Sequence, residues 1–377
     1  MLDARLLAAA WRNDVSAARR LISRGADVNA KDDTVQSAYL VATSEGYLDL
    51  LDLTFRNGAD VSSLDSFAGT GLIRAAERGH DDVVGRLLQE GVAVDHVNNL
   101  GWTALLEPVI LGDGSQRYVN TVRTLVAGGA DVELAAARDW LTAAQHAEAR
   151  GQQRVLEVLR AAARADAREA GRRVEQSRVD AALLRAAASG EADAAAVALR
   201  NGARIEARDA AGRTPLLLAA AGGHVEVARL LVNLGADPDA QDDQQDSAWL
   251  VTGVTGSVAM AETLLPADPD LGLLNRFGGT SVIPASERGH VAYVRRVART
   301  GINLDHVNDL RWTALLEAVV LGDGGRRHQQ VVRALLGAGA DPTIPDADGR
   351  TPIALARGSG QVVIARMLAA AEPADGR

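Results

Sequence analysis

Two stretches of the chain carry the same set of chemically capable side chains. The first reads Asp95-His96-Val97-Asn98, then Trp102 through Glu107, then Leu111-Gly112-Asp113-Gly114. The second reads Asp305-His306-Val307-Asn308, then Trp312 through Glu317, then Leu321-Gly322-Asp323-Gly324. Each is preceded by a Glu-Arg pair, Glu77-Arg78 and Glu287-Arg288. A glutamate beside a tryptophan wall, with histidine and aspartate nearby, can hold a proton at raised pKa and move it in an isomerisation, cyclisation or hydrolysis. The same carboxylate can instead anchor a ligand, and an exposed tryptophan is a typical hot-spot residue at protein interfaces. A purely structural reading stands beside both. Asp95, His96 and Asn98 suit turns that hydrogen-bond their own backbone, and Asp113 is a good turn residue. Glu77 and Arg78 suit ion pairs of little net value.

Other chemistries have no residues to carry them. There is no P-loop, no Gly-x-Ser-x-Gly, no His-Glu-x-x-His and no dinucleotide fingerprint. Cysteine is absent, which removes disulfides, thiolate metal sites and a cysteine nucleophile, and the 7 histidines are scattered. No metal and no cofactor is expected. The net charge of −9 argues against a nucleic-acid partner, which needs a basic face. No stretch approaches the ~20 apolar residues of a membrane span. The start of the chain has no basic region ahead of its short apolar run, so a cytoplasmic protein with no membrane partner is expected.

The two stretches belong to a larger duplication. Residues 6–131 align with 216–341 at a constant offset of 210, without a gap. Tyr39 meets Trp249, Phe67 meets Phe277 and Trp102 meets Trp312. Between 95–114 and 305–324, 16 of 20 positions are identical, whereas 81–94 and 291–304 share only 3 of 14. Identity has therefore persisted around the candidate residues and has been lost beside them.

A shorter period positions these residues. Gly-Ala-Asp recurs at Gly25, Gly58, Gly129, Gly235 and Gly339, with looser versions at Gly91, Gly202 and Gly301, and the steps are mostly 33 to 38 residues. A Leu/Val-rich run such as Val225 to Leu231 precedes each, and a second short helical segment lies further upstream. The best copy runs from Asp209-Ala210-Ala211-Gly212-Arg213-Thr214-Pro215 through Gly223-His224 to Gly235-Ala236-Asp237. Thr caps a helix, Pro tolerates its first position and Gly ends it in a left-handed turn. With aromatic residues at only 3%, Ala, Leu and Val must build the core, as close-packed helices require.

This pattern resembles the ankyrin repeat over nearly the whole chain. The resemblance implies an all-α solenoid of helix-turn-helix repeats with finger loops, about eleven in two arrays. A first array is expected over 1–160 and a second over 178–373. An Arg/Ala-rich linker helix is expected over 161–177, with Arg160, Arg164, Arg168 and Arg172 on one face. In the ankyrin pattern Trp102 stands at the surface just before the first helix, and Glu107 lies at a variable position facing the concave groove. Glu77 and Arg78 should flank the same patch of groove. The favoured expectation is a binding scaffold that grips a protein partner, with basic contact residues, through that groove. The alternative is a small-molecule site or acid–base enzyme using the duplicated Trp, Glu and His. Glu107, Glu317, His96 and His306 would then be catalytic. The remaining binding candidates are Trp102, Trp312, Glu77, Glu287, Arg78, Arg288, Asn98, Asn308, Asp113 and Asp323.

Overall fold

Short helices start where a hydroxyl or carboxylate can accept the free N–H groups of the first turn. Ser37, Thr70, Thr214, Ser247, Thr313 and Thr351 each accept from the backbone N–H three residues on. Pro215 and Pro352 follow two of these caps, at the position where a missing N–H costs nothing. Gly46, Gly223 and Gly256 end their helices in the left-handed conformation that a residue without Cβ adopts cheaply.

The computed structural model describes residues 1–169 and 175–371. Arg172, part of the expected linker and the last two residues of the expected second array lie outside these. Among the described residues there are 22 α-helices, one 3-10 turn, a single isolated bridge between Leu64 and Thr70, and no strand. The helices follow one another as eleven consecutive pairs, and within each compact unit they pack on their partners and on the next pair, as Gly71–Glu77 does on Asp81–Gln89 and Val282–Glu287 on Ala314–Val320. No pair can bury its own apolar face alone, so stability comes from stacking. Ala, Leu and Val fill the spaces, and among the bulkiest buried side chains are Trp249, Tyr39 and Tyr293. The aligned pair Tyr39 and Trp249 is therefore core. None of the described helices is long and apolar enough to cross a membrane.

Two compact units divide the chain. One comprises Met1–Ala186, Glu191–Ala207 and Asn233–Ala236, and the other Ala187–Gly190, Arg208–Val232 and Asp237–Arg377. Within the first, the helix Ala192–Arg200 packs against Gln116–Ala127 and Gln153–Glu169. Arg200 clamps Asp166 with two parallel bonds, Nε to Oδ1 at 2.9 Å and Nη2 to Oδ2 at 2.8 Å. Arg160, first of the four spaced arginines, donates to Glu148 Oε1 at 2.9 Å.

Candidate functional site

Eight of the finger loops are closed by an Asp or Asn whose side-chain oxygen accepts two backbone N–H groups, two and four residues on, whereas the finger after Ala136 has no such residue. Asp32, Asp65, Asp209, Asp242, Asn275 and Asp346 all do so. Asn98 follows the rule, its Oδ1 accepting from Leu100 and Trp102 at 3.0 Å each. With that oxygen committed, its amide nitrogen must point the other way. There Nδ2 donates to Glu107 Oε1 at 2.8 Å. Asn308 repeats the arrangement, with Nδ2 to Glu317 Oε1 at 2.8 Å.

Glu107 stands nine residues after Asn98, where the other six such fingers place Val41, Arg74, Leu218, Val251, Pro284 and Leu355. A carboxylate there is peculiar to the two Asn-Glu fingers. Both glutamates are nearly sealed, Glu107 at 3% exposure and Glu317 at 4%. Burial, and then the neighbouring Glu77, push the Glu107 carboxyl up to about 7 against the opposing pull of Asn98 and Arg74. Glu317 is pushed up to about 7 as well, by burial and then by Glu287, against the pull of Asn308.

A cavity of about 130 Å³ opens beside Glu107. Its charged lining is Asp65, Arg74, Glu77 and Glu107, and Phe67, Leu100 and Leu111 supply apolar wall. Phe67 and Leu111 are half exposed, as are the second-half residues Phe277, Leu310 and Leu321. Arg74 Nη1 donates to Glu77 Oε2 at 2.7 Å, and its Nε lies 3.4 Å from Asp65 Oδ2.

The cavity gathers Glu77, Asn98 and Glu107 from the expected set, and leaves others outside its lining. Trp102 is partly buried, accepts from Asn98 N through its carbonyl and does not border the cavity. Phe67, Leu100 and Leu111 form the wall that was expected of it. Trp312 is likewise partly buried. His96 Nε2 lies 2.7 Å from Ala68 O and His306 Nε2 lies 2.6 Å from Gly278 O. A carbonyl oxygen only accepts, so each ring donates and ties one finger to the previous one. Asp95 and Asp305 brace the next finger by accepting from Asp131 N and Asp341 N. Arg78 donates to Glu45 Oε1 at 2.9 Å, and Arg288 to Val254 O at 3.4 Å. Asp113 closes its turn by accepting from Ser115 N, and Asp323 accepts from Gly325 N and meets His328 Nδ1 at 2.7 Å. The described residues hold no cluster of three His, Asp or Glu side chains disposed to take a metal ion.

The helix pairs and their bonded fingers have clear relatives. The family model for ankyrin repeats in three copies matches residues 39–136, 140–242 and 250–346, and the single-repeat model matches 6–33. The chain belongs to the ankyrin repeat family. It is 48% identical over 109 residues to the putative ankyrin repeat protein YahD of Escherichia coli K12, a match over 29% of this chain and 54% of that one. The chain thus spans about half the length of that relative. A putative ankyrin repeat protein of Rickettsia felis is 38% identical over 52 residues, covering 14% of this chain and 82% of its own. A crystal structure of an ankyrin repeat domain from Acinetobacter baumannii is similar at 42% identity and a TM-score of 0.49, over 50% of this chain and 96% of that one.

Proposed function

We propose that this ankyrin repeat protein is a binding scaffold that seats positively charged side chains of a protein partner against its paired glutamates. The observation that carries the reading is the buried glutamate, held by an asparagine and faced by a second glutamate, at the same place in both halves. No hydrophobic requirement of the fold calls for it, since other repeats place valine or leucine there. At about 130 Å³ the first-half cavity is smaller than the roughly 300–1,000 Å³ of small-molecule pockets, and it suits one side chain. The cavity's apolar residues complement the methylene stem of Lys or Arg, while its carboxyls complement the charged head. A cation brought beside Glu317 favours the ionised form, so binding near neutral pH should release protons.

An acid–base enzyme is the second reading, and it draws on carboxyls that titrate near the pH of the reaction. His96 and His306 offer it little help, because each is engaged by a finger carbonyl.

Side-by-side isolation of partners from the source cell, with wild-type protein and the Glu107→Gln, Glu317→Gln double variant, tests the proposal. The variant should keep its helical circular dichroism and lose the bound proteins. An unchanged set of bound proteins overturns the proposal. A small-molecule turnover present in wild type and lost in the variant would favour the second reading.

A further inference from the structure

The two halves keep most of the cavity-lining residues and differ sharply in two. Phe67, Glu77, Asn98, Leu100, Glu107 and Leu111 have identical counterparts 210 residues on. Asp65 becomes Asn275, and Arg74 becomes Pro284. One negative and one positive charge are lost together, so the formal charge of the set is conserved. What changes is the guanidinium. In the first half Arg74 bonds Glu77 and approaches Asp65, and its charge also reaches Glu107. Glu77 there already has a cationic partner, supplied by its own helix, and that guanidinium borders the same cavity as Glu107.

The second half has no such partner from position 284. The carboxylate of Glu287 has no hydrogen-bond or ion-pair partner among the described residues. Glu317, at 4% exposure, uses one oxygen to accept from Asn308, and its other oxygen has no partner there. Two nearby arginines are engaged elsewhere. Arg276 lies over the Phe277 ring at 4.8 Å and approaches Asp246 at 3.4 Å, while Arg288 donates to Val254 O.

We propose that the Glu287–Glu317 site takes the guanidinium of a partner's arginine, and that Arg74, by engaging Glu77, takes the place of such a guanidinium in the first half. This rests on the scaffold reading and adds which half is open and which cation it takes. The planar fork of a guanidinium can serve two carboxyls at once, as Arg74 does, whereas an ammonium is a compact point charge. Leu310 and Leu321 are half exposed, and their counterparts Leu100 and Leu111 border the first-half cavity, so apolar surface is present for the arginine stem.

The test uses the full chain with glutamate carboxyl carbons labelled for NMR, and methylguanidinium and methylammonium as probes. In wild type, methylguanidinium should shift the Glu287 and Glu317 resonances saturably, at a concentration at least tenfold lower than methylammonium, and leave Glu77 and Glu107 unmoved. The Asn275→Asp, Pro284→Arg variant installs the internal guanidinium and should abolish the second-half response. The reciprocal Asp65→Asn, Arg74→Leu variant should create a response at Glu77 and Glu107, and leucine is native at that helix position in Leu218 and Leu355. Either exchange alone is decisive if the other variant misfolds. Equal responses from both halves of wild type, equal effects of both cations, or exchanges that change nothing would overturn this inference and leave the scaffold reading standing. Silence of all four glutamates toward both cations would overturn both.

Discussion

A carboxylic acid cut off from water keeps its proton to higher pH, because the ion loses more solvation than the neutral acid. Glu107 and Glu317 ordinarily titrate at 4.5 and are pushed up to about 7 in the fold. Across that interval the folded chain binds more protons than the unfolded chain, so stability falls as pH rises from about 4.5 to 7 and then levels off. Each glutamate should account for about 1–3 kcal/mol of that change. Glutamine keeps the acceptor for Asn98 and cannot ionise. The Glu107→Gln, Glu317→Gln variant should therefore lose this slope and be more stable than wild type at pH 8, read from urea midpoints at a series of pH values. A second substitution isolates the amide. Asn98→Asp keeps the finger turn, as Asp65 and Asp209 show, but replaces the donor by a carboxylate facing Glu107. The Glu107 titration should move above 7, and stability at pH 8 should fall by about 1–3 kcal/mol. A carbon-13 titration of labelled glutamate would show it.

At the scale of elements, the first-half site sits on an unusually short helix. Glu107–Ile110 has four residues, whereas its counterpart Ala314–Val320 has seven. Pro108 explains the difference, because it has no N–H for the carbonyl of Ala104, and Ala318 does not share that defect. Pro108→Ala should lengthen the helix and stabilise the chain by up to about 1 kcal/mol, measured by thermal unfolding. The following Gly-Asp-Gly answers to backbone proximity. A Cβ on Gly112 would lie 2.1 Å from Pro108 O, and one on Gly322 would lie 2.1 Å from Ala318 O. This explains why the sequence alone points to side chains, Trp102 and Asp113 among them, that do not line the cavity. The period of Gly-Ala-Asp and the Thr-Pro caps expose the fold, because they record local backbone needs. Identity between the halves marks the stretch that holds Asn98 and Glu107. It cannot separate a cavity-lining Glu107 from a turn-closing Asp113, since both needs conserve a residue equally well. It also draws the eye to Trp102 over the wall residues Phe67 and Leu111, although these too recur, as Phe277 and Leu321. Arg74 and Asp65 escape such a comparison altogether, because their meaning lies in being different.

At the scale of the molecule, sequence ancestry and physical contact divide the chain in different places. The duplication and the Arg/Ala-rich stretch suggest a boundary over 161–177, yet Glu191–Ala207 belongs by contact to the first compact unit. Periodicity cannot show this, because the contacts join helices about 70 residues apart through single side chains. Arg200 binds Asp166 twice and also donates to Ala130 O at 2.5 Å, while Arg123 pairs with Asp193. The side chain of Arg200 is 11% exposed and that of Asp166 is 38% exposed, so this pair is neither a solvated surface bridge nor a sealed one. Removing the guanidinium leaves a half-buried carboxylate and a free carbonyl, at a cost of about 1–3 kcal/mol. In a stack of repeats each pair answers mainly to its neighbours, so the loss should stay local. Arg200→Ala should speed amide exchange in Gln116–Ala127, Gln153–Glu169 and Ala192–Arg200, and leave Pro352–Gly358 and Val362–Ala371 unchanged. Hydrogen-exchange mass spectrometry reads all five helices in one experiment. Uniform acceleration along the chain would mean that the two units unfold as one, and no acceleration would mean that apolar packing alone holds the sixth repeat on the first unit.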